Sequence, residues 1–249
     1  MKEVKLTIVQ NEQVGKDIYL MRLEGDLTSI KNPGEFVEIK LPNYYLRRPI
    51  SVCDYSESHL NLLYKVLGHG TKDMTNYPIG MELEVLVGLG NGFDIKKSLK
   101  PLLIGGGIGI APIFSLARKF NELGIKPIIL YGAAKKDDFV LLDTLAQYGE
   151  LILCSDSGEV GYHGNVVNYL KTHQVEYDYY YACGPQVMCK YLKELTDKGC
   201  LSLEARMGCG FGACMGCSIE TTNGPKRVCK EGPVFEAREV LCCYNGFEN

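Results

Sequence analysis

Four cysteines near the carboxyl end of the chain constrain the fold most, because their spacing is typical of one kind of site. Cys209, Cys214, Cys217 and Cys229 follow the order C-x4-C-x2-C-x11-C, and plant-type [2Fe-2S] ferredoxins begin with the same C-x4-C-x2-C run. The positions between the first three are mostly glycine or alanine, so backbone N–H groups can approach the sulfur atoms. The pattern predicts that these four cysteines are the ligands of a [2Fe-2S] cluster.

Two other interpretations of the cysteines are weaker. A structural zinc site usually has closely spaced cysteine pairs at both ends, whereas Cys229 stands alone, and buried thiols would not be interleaved with so much glycine. Residues 201–249 contain six of the eleven cysteines and are too few to bury much core by themselves. We therefore expect the cluster to organise this segment. The adjacent pair Cys242 and Cys243 is poorly suited to tetrahedral ligation.

The first part of the chain has the pattern of a small antiparallel β-barrel. Short runs rich in β-branched residues alternate with turn residues, and only one brief helix is predicted, at 71–77, with Thr71 as its N-cap. The predicted strands are 4–9, 18–23, 36–39, 60–66 and 83–87. Residues 1–98 are therefore predicted to form the first domain.

The pattern changes at Lys100-Pro101 to strands that alternate with helices, which indicates a parallel sheet with crossover helices. The predicted strands are 102–104, 127–131, 151–154 and 177–183, and the predicted helices are 111–122, 139–148, 166–173 and 186–198. The expected fold is thus a multidomain combination of β and α/β parts. It has a barrel at 1–98, an α/β domain at 99–200 and a cluster-binding segment at 201–249.

A glycine-rich loop between the first strand and first helix of the α/β domain is the candidate dinucleotide site. Its glycines are Gly105, Gly106, Gly107 and Gly109, and a helix start with free N–H groups suits a pyrophosphate. The start of the dinucleotide fingerprint is present, but Pro112 stands where its third glycine would be. The alternative is an ordinary strand-to-helix turn with no ligand. Four glycines within five residues make this alternative less favoured.

Two later strands end in further candidates for the same ligand, since ligands bind at the carboxyl ends of parallel strands. Asp156 could bind ribose hydroxyls and repel a 2′-phosphate, which would favour NAD(H) over NADP(H); a turn-forming aspartate is an equal alternative. Cys183 and Gly184 end the last predicted strand of the domain. Cys183 is a candidate for the nicotinamide edge, with a core thiol as the alternative.

The barrel itself carries residues that suit a flavin. Arg48 can pair with a phosphate through its planar guanidinium group, and Thr71 opens the short helix, whose N–H groups can face the same anion. Each alone could be an ordinary surface residue. Together, ahead of a dinucleotide domain, they predict FAD.

Charge and hydropathy exclude several other classes of protein. The 27 basic and 30 acidic residues give a net charge of −3. This balance does not indicate a surface that binds nucleic acid or a membrane. The first residues lack the apolar core of a signal peptide, and the apolar stretch 102–114 is too short to cross a bilayer. We expect a cytoplasmic protein, in which thiols stay reduced.

The three parts together resemble the ferredoxin-reductase superfamily, and more closely the electron-transfer subunits of NAD-dependent dihydroorotate dehydrogenase. The resemblance covers essentially the whole chain. Its specific marks are Leu-Arg-Arg-Pro-Ile-Ser at 46–51, Gly-Gly-Gly-Ile-Gly-Ile-Ala-Pro at 105–112, Ser-Leu-Glu-Ala-Arg-Met-Gly-Cys at 202–209 and Cys-Lys-Glu-Gly-Pro-Val-Phe at 229–235.

The resemblance implies roles for individual residues of the barrel. Arg48 and Ser51, with Pro49 and Ile50 between them, would contact the FAD pyrophosphate and isoalloxazine. Most of the superfamily has tyrosine at the position of Ile50, so the residue that stacks on the flavin is left open. The strand residues Leu63, Tyr64 and Lys65 would line the side of the flavin, and Gly70 and Thr71 would hold its phosphates.

The resemblance also implies a function in pyrimidine biosynthesis. Electrons would pass between NAD(H), FAD, the cluster and the FMN of a separate catalytic subunit that converts dihydroorotate to orotate, in a heterotetramer with two copies of each subunit. One alternative is a reductase subunit that serves a ferredoxin, a hydrogenase or sulfur reduction. A more remote one is a non-redox nucleotide-binding protein with zinc.

Overall fold

The computed structural model describes residues 1–241, which contain a closed six-stranded barrel, a seven-stranded sheet and a two-stranded sheet. Cys242 and Cys243 lie outside the described residues. No helix in the described part of the chain is long and apolar enough to cross a membrane.

The barrel is antiparallel throughout, with strand order β1-β2-β5-β4-β3-β6. Its elements are β1 (Lys2–Gly15), β2 (Ile18–Glu24), β3 (Phe36–Ile39), β4 (Arg48–Tyr55), β5 (His59–Lys65), helix α1 (His69–Met74) and β6 (Glu82–Leu89). The predicted barrel is confirmed, and β4 is the strand that the sequence pattern missed. Its first four residues are all half-buried, so the alternation that normally marks a strand is absent there.

The second sheet has the strand order β10-β9-β8-β7-β11-β12-β15, parallel except for β15 at its edge. Its strands are β7 (Pro101–Gly106), β8 (Ile128–Ala133), β9 (Glu150–Ser155), β10 (Tyr162–His163), β11 (Tyr179–Cys183), β12 (Gly199–Ser202) and β15 (Val234–Glu236). The crossover helices are α2 (Ile110–Glu122), α3 (Leu142–Tyr148), α4 (Val166–Thr172) and α5 (Gln186–Leu195). Single 3-10 turns occur at Ile95–Lys97, Gly107–Gly109, Lys136–Asp138 and Ala237–Glu239.

Burial explains why the central strands are uninterrupted apolar runs. Every residue of β7 is buried, because helices cover both faces of a parallel sheet. On one face, α2 buries nine of its thirteen residues and also packs on β4 of the barrel. Arg118 of α2 fixes that contact, since its Nε donates to Asp54 Oδ1 at 2.7 Å and its Nη2 to the Tyr55 carbonyl at 3.0 Å. The outer side of the barrel and this face of the sheet therefore share one buried cluster, while the barrel interior and the other face of the sheet each form a cluster of their own.

The segment after β12 obtains its core from the other two parts. Its small sheet pairs β13 (Ser218–Ile219) with β14 (Lys226–Arg227), and β15 pairs with β12. Cys217, Val228, Cys229 and Phe235 pack against Phe36 and Leu89 of the barrel in one buried cluster. The segment therefore bridges barrel and sheet, and the predicted boundary at residue 200 falls inside β12.

Candidate cofactor sites

A cavity of about 240 Å³ lies between the barrel, the glycine loop after β7 and the chain that follows β12; we call it the flavin cavity. Its barrel wall includes eight of the residues predicted to bind FAD. They are Arg48, Pro49, Ile50, Ser51, Leu63, Tyr64, Lys65 and Thr71. The half-burial at the start of β4 follows from this, because those residues face the cavity.

Arg48 is held in place by its immediate surroundings. Its Nη1 donates to the Leu46 carbonyl at 2.6 Å, and its guanidinium carbon lies 4.6 Å from the centre of the Tyr44 ring. Gly70, in α1, lies directly beneath the guanidinium group, where an added Cβ would be 2.6 Å from Nε. Gly70 thus contributes through its small size, and Arg48 presents a fixed cation that suits a phosphate.

Thr71 has a different capping role from the predicted one. The N-cap of α1 is Gly68, and Thr71 is the third residue of the helix. Its Oγ1 accepts hydrogen bonds from the backbone N–H groups of Leu67 at 3.0 Å and Gly68 at 3.2 Å. The predicted N-cap at Thr71 was therefore wrong, because the hydroxyl satisfies N–H groups that precede the helix, as the third residue of a capping box does.

The three residues of β5 contact the cavity in two ways, because side chains alternate along a strand. Tyr64 points into the barrel, where its hydroxyl donates to Asn11 Oδ1 at 3.0 Å and its ring stacks on Tyr19 at 5.7 Å. Tyr64 can therefore contact a flavin only through its backbone. Leu63 and Lys65 point away from the barrel core.

The opposite wall of the flavin cavity includes Cys183, Ser202, Glu204 and Met207. Burial, and then the charge of Glu204, raises the pKa of Cys183 well above its usual range, so this residue is a neutral thiol. Burial also raises the pKa of the Glu204 carboxyl. The residue pattern predicted Cys183, but it did not single out Ser202 or Glu204, which occur only within the family motif at 202–209.

A second cavity, of about 420 Å³, lies over the carboxyl ends of β7, β8 and β9; we call it the dinucleotide cavity. Gly106, Gly107 and Asp156, three of the residues predicted to bind the dinucleotide, line it, and Lys65 is the one lysine or arginine among its described lining residues. Lys65 and Ile108 line both cavities. Two ligands bound in these cavities would therefore be neighbours across one thin wall.

The glycines of the loop allow close approach between backbones. A Cβ on Gly109, which lines the flavin cavity, would overlap the backbone of Cys183, and one on Gly184 would lie 2.9 Å from the Gly106 Cα. Gly105 pairs with Cys183 across the sheet. Gly105 and Gly184 line neither cavity, so their contribution is to let β7 and β11 support the loop.

Asp156 follows β9, and its side chain is exposed at the edge of the dinucleotide cavity. Asn165, which the sequence pattern did not indicate, lines the same cavity as the N-cap of α4, and its Oδ1 accepts from Asn168 N at 2.9 Å. The far side includes Met188 and Tyr191 of α5. The cavity thus combines an apolar wall with an exposed carboxylate, which suits a nucleotide with free ribose hydroxyls.

The four cysteines predicted to bind the cluster are arranged as two pairs. The backbone N–H of Cys214 donates to Cys209 Sγ at 3.4 Å, and that of Cys229 donates to Cys217 Sγ at 3.4 Å. The first pair is at the surface, whereas Cys217 and Cys229 are buried. Within residues 1–241, no group of three or more histidine, cysteine, aspartate or glutamate side chains is arranged to hold a single metal ion.

This pairing fits a [2Fe-2S] cluster, in which each of two irons takes two protein ligands. Backbone donors at the first pair favour the thiolate that iron requires. Burial opposes ionisation of Cys209, but the N–H groups of Cys214, Phe211 and Ala213 outweigh it and lower the pKa of Cys209 to about 6.

Arg227 connects the two loops that carry the cysteine pairs. Its Nη1 donates to the Gly212 carbonyl at 2.6 Å, and its Nε donates to Glu231 Oε2 at 2.9 Å. Gly212 has a φ of +91° and lies against Lys230. Arg227 therefore fixes the outer loop, 209–217, to the turn that contains Cys229.

A shallow depression of about 560 Å³ at Lys40–Tyr45 and Met81–Glu84 contains none of the predicted site residues. It lies on the barrel surface.

The carboxyl-terminal segment matches a known family. Residues 204–241 match the iron-sulfur cluster binding domain of dihydroorotate dehydrogenase B. The chain is also 38% identical to the dihydroorotate dehydrogenase B (NAD(+)) electron transfer subunit of Fusobacterium nucleatum, over 96% of this chain and 99% of the relative. It is 34% identical to the subunit of the same name from Streptococcus pneumoniae R6, over 95% and 97%.

Solved structures give the same architecture. An NADH-dependent reduced ferredoxin-NADP oxidoreductase, studied for flavin-based electron bifurcation, superposes with a TM-score of 0.85 at 26% identity, over 95% of this chain and 89% of that one. Phthalate dioxygenase reductase superposes with a TM-score of 0.69 at 17% identity, over 88% and 87%. The second likeness concerns the fold alone.

Proposed function

The chain belongs to the family of electron-transfer subunits of NAD+-dependent dihydroorotate dehydrogenase B, and we propose that it connects the FMN of a separate catalytic subunit to NAD+. Its cofactors are FAD, a [2Fe-2S] cluster and NAD(H). We further propose a cytoplasmic heterotetramer with two copies of each subunit. In this assembly the partner oxidises dihydroorotate for pyrimidine biosynthesis, and this chain delivers the electrons to NAD+.

The chemistry belongs to the bound groups: flavin exchanges a hydride with the nicotinamide, and an iron–sulfur cluster passes single electrons. The protein binds and orients them. Arg48 would neutralise the FAD pyrophosphate, the N–H groups around Gly106 and Gly107 would bind the NAD(H) pyrophosphate, and Asp156 would accept hydrogen bonds from ribose. Cys183 and Ser202 line the flavin cavity and would lie beside the nicotinamide.

The observation that carries the proposal is the order of the three sites. Ile108 and Lys65 separate the dinucleotide cavity from the flavin cavity. The wall of the flavin cavity that contains Ala205 and Met207 continues along the chain directly into Cys209. A flavin bound in its cavity would therefore lie between the nicotinamide and the cluster, as conversion of hydride transfer into single-electron transfer requires.

The outer cysteine pair identifies the face on which the catalytic subunit would dock. Cys214 is exposed, and Phe211 and Met215 beside it expose 45% and 53% of their surface. Apolar side chains around an electron donor form a surface against which a partner can pack closely and from which water is excluded. We propose that the FMN subunit covers Phe211 and Met215.

Co-expression with an FMN-containing dihydroorotate dehydrogenase tests the proposal. The two proteins should co-purify, and the complex should reduce NAD+ with dihydroorotate. Met215→Glu should prevent assembly while FAD and iron contents stay normal, and Leu123→Glu, at the exposed end of α2, should not. A complex that reduces ferredoxin with NADH but never oxidises dihydroorotate would instead support the alternative reductase function.

A further inference from the structure

Glu38 is a buried carboxyl group that none of the roles above explains. It lies in β3, whose four residues are all buried. Val37 and Ile39 face the barrel core, and Phe36 faces the cluster-binding segment. By the alternation of a strand, Glu38 faces that segment too, with only 1% of its surface exposed.

The carboxyl group lies against the loop that carries Cys209. Gly210 approaches it so closely that an added Cβ would collide with the carboxyl carbon and both oxygens, and Gly210 has a φ of +72°. Neither oxygen of Glu38 has a hydrogen-bond partner among the described residues. Leaving a buried polar group unpaired is costly, so an apolar side chain would fill this space at lower cost if packing were the only requirement.

Glu38 also lies beside the flavin cavity. Its partner across the strand pair is Pro49, which lines that cavity. Burial raises the pKa of the Glu38 carboxyl, while Arg47 acts in the opposite sense. Arg47 is itself paired with Glu3, so it does not neutralise Glu38. An unpaired acid therefore lies between the proposed positions of the two redox groups.

We propose that Glu38 sets the reduction potential of the cluster: when ionised, its buried carboxylate, placed against the loop of Cys209, lowers that potential relative to FAD. Adding an electron near a fixed negative charge costs energy, and solvent does not screen this interaction in a buried site. Net charge is one of the factors that set iron–sulfur potentials. A lower cluster potential favours electron transfer from the cluster to FAD, which is the direction that NAD+ reduction needs.

The proposal rests on Cys209 as a cluster ligand, so the test uses the complete chain with full iron and FAD content. Glu38→Gln removes the charge and keeps the shape. At pH 9, the cluster midpoint potential of this variant should rise by at least about 59 mV, a tenfold change in the one-electron equilibrium. Its electron paramagnetic resonance spectrum should keep the wild-type form. Glu38→Asp, which retains the charge, should stay near the wild-type potential.

Glu35→Gln is a matched control, because Glu35 is a buried acid of the same barrel that accepts hydrogen bonds from the backbone N–H groups of Lys31 and Asn32. The cluster midpoint potential of the Glu35→Gln variant should equal that of the wild type. Glu38→Met gives a second neutral variant if the amide weakens cluster retention. Equal potentials in wild type and a neutral variant, or equal shifts in Glu38→Gln and Glu38→Asp, would overturn the proposal. Failure of the dihydroorotate assay would leave it unaffected, since the measurement requires no partner subunit.

Discussion

Replacing Gly70 with alanine should weaken FAD binding, because the guanidinium group of Arg48 occupies the space that the methyl group needs. An ideal Cβ would lie 2.6 Å from Nε and 2.9 Å from Nη2 of Arg48. Both distances are far shorter than van der Waals contact. Gly70 is buried within α1, so the long side chain of Arg48 is the group that can move.

The size of the effect follows from the proposed contact between Arg48 and the FAD pyrophosphate. A hydrogen bond to a charged group is worth about 1.5–3 kcal/mol. Since 1.4 kcal/mol corresponds to tenfold in affinity, the Kd for FAD should rise about 10- to 150-fold. Titration of the flavin-free protein with FAD, followed by quenching of flavin fluorescence, measures this directly.

Gly68 provides the matched control two residues earlier. A Cβ on Gly68 would meet nothing within 4 Å, and its φ of −161° suits any residue, so Gly68→Ala should leave the Kd for FAD unchanged. In an Arg48→Ala background, Gly70→Ala should have no further effect. The reasoning is refuted if Gly70→Ala binds FAD as tightly as Gly68→Ala, or if it weakens binding equally with and without Arg48.

Four further outcomes are expected. Cys214→Ser should lose iron and acid-labile sulfide, and retention of both would contradict its role as a ligand. Asp156→Asn should improve use of NADPH about tenfold by removing a repulsive charge; an unchanged cofactor preference would speak against it. Lys65→Met should raise the Kd for NADH about tenfold, whereas Lys119→Met, on the exposed side of α2, should not. Asp178→Asn should lower the free energy of unfolding at pH 7 by about 1 kcal/mol or less. Burial opposes ionisation of Asp178, but hydrogen bonds from Ser98, Leu99 and Lys100 lower its pKa, so this difference should disappear as the pH falls below its ordinary value of 3.8 in chemical denaturation curves.

The sequence predicted the parts of this protein that depend on local patterns. Cysteine spacing indicated the cluster, the glycine loop after β7 indicated the dinucleotide cavity, and alternating strands and helices indicated the parallel sheet. These features are predictable because each depends on residues close together in the chain. The same reasoning placed the barrel but missed β4, since a strand whose side chains face a cofactor cavity has no alternating pattern.

Contacts between distant parts of the chain could not be predicted from local patterns. Lys65 lines both cavities because the barrel packs against the glycine loop, about 40 residues later. Glu38 resembles an ordinary exposed strand residue in the sequence, and only the fold of the carboxyl-terminal segment buries it against Gly210. The N-cap was wrongly predicted at Thr71 for a smaller reason, since its true position, Gly68, can cap a helix without a side chain.

The way in which the carboxyl-terminal segment is anchored determines how electrons can travel. Asn91 of the barrel bonds to the carbonyls of Lys230, Glu231 and Gly232, and β15 extends the sheet beside β12. The segment that carries the four cysteines is thus attached to both the barrel region and the sheet, and it cannot move relative to the flavin cavity without breaking these contacts. In some electron-transfer proteins a mobile domain carries the cofactor, and electron transfer occurs only when that domain reaches its partner. In this chain the sites keep fixed positions, so the rate of electron transfer between flavin and cluster should not depend on solvent viscosity. Only docking of the partner subunit and exchange of NAD(H) should require movement.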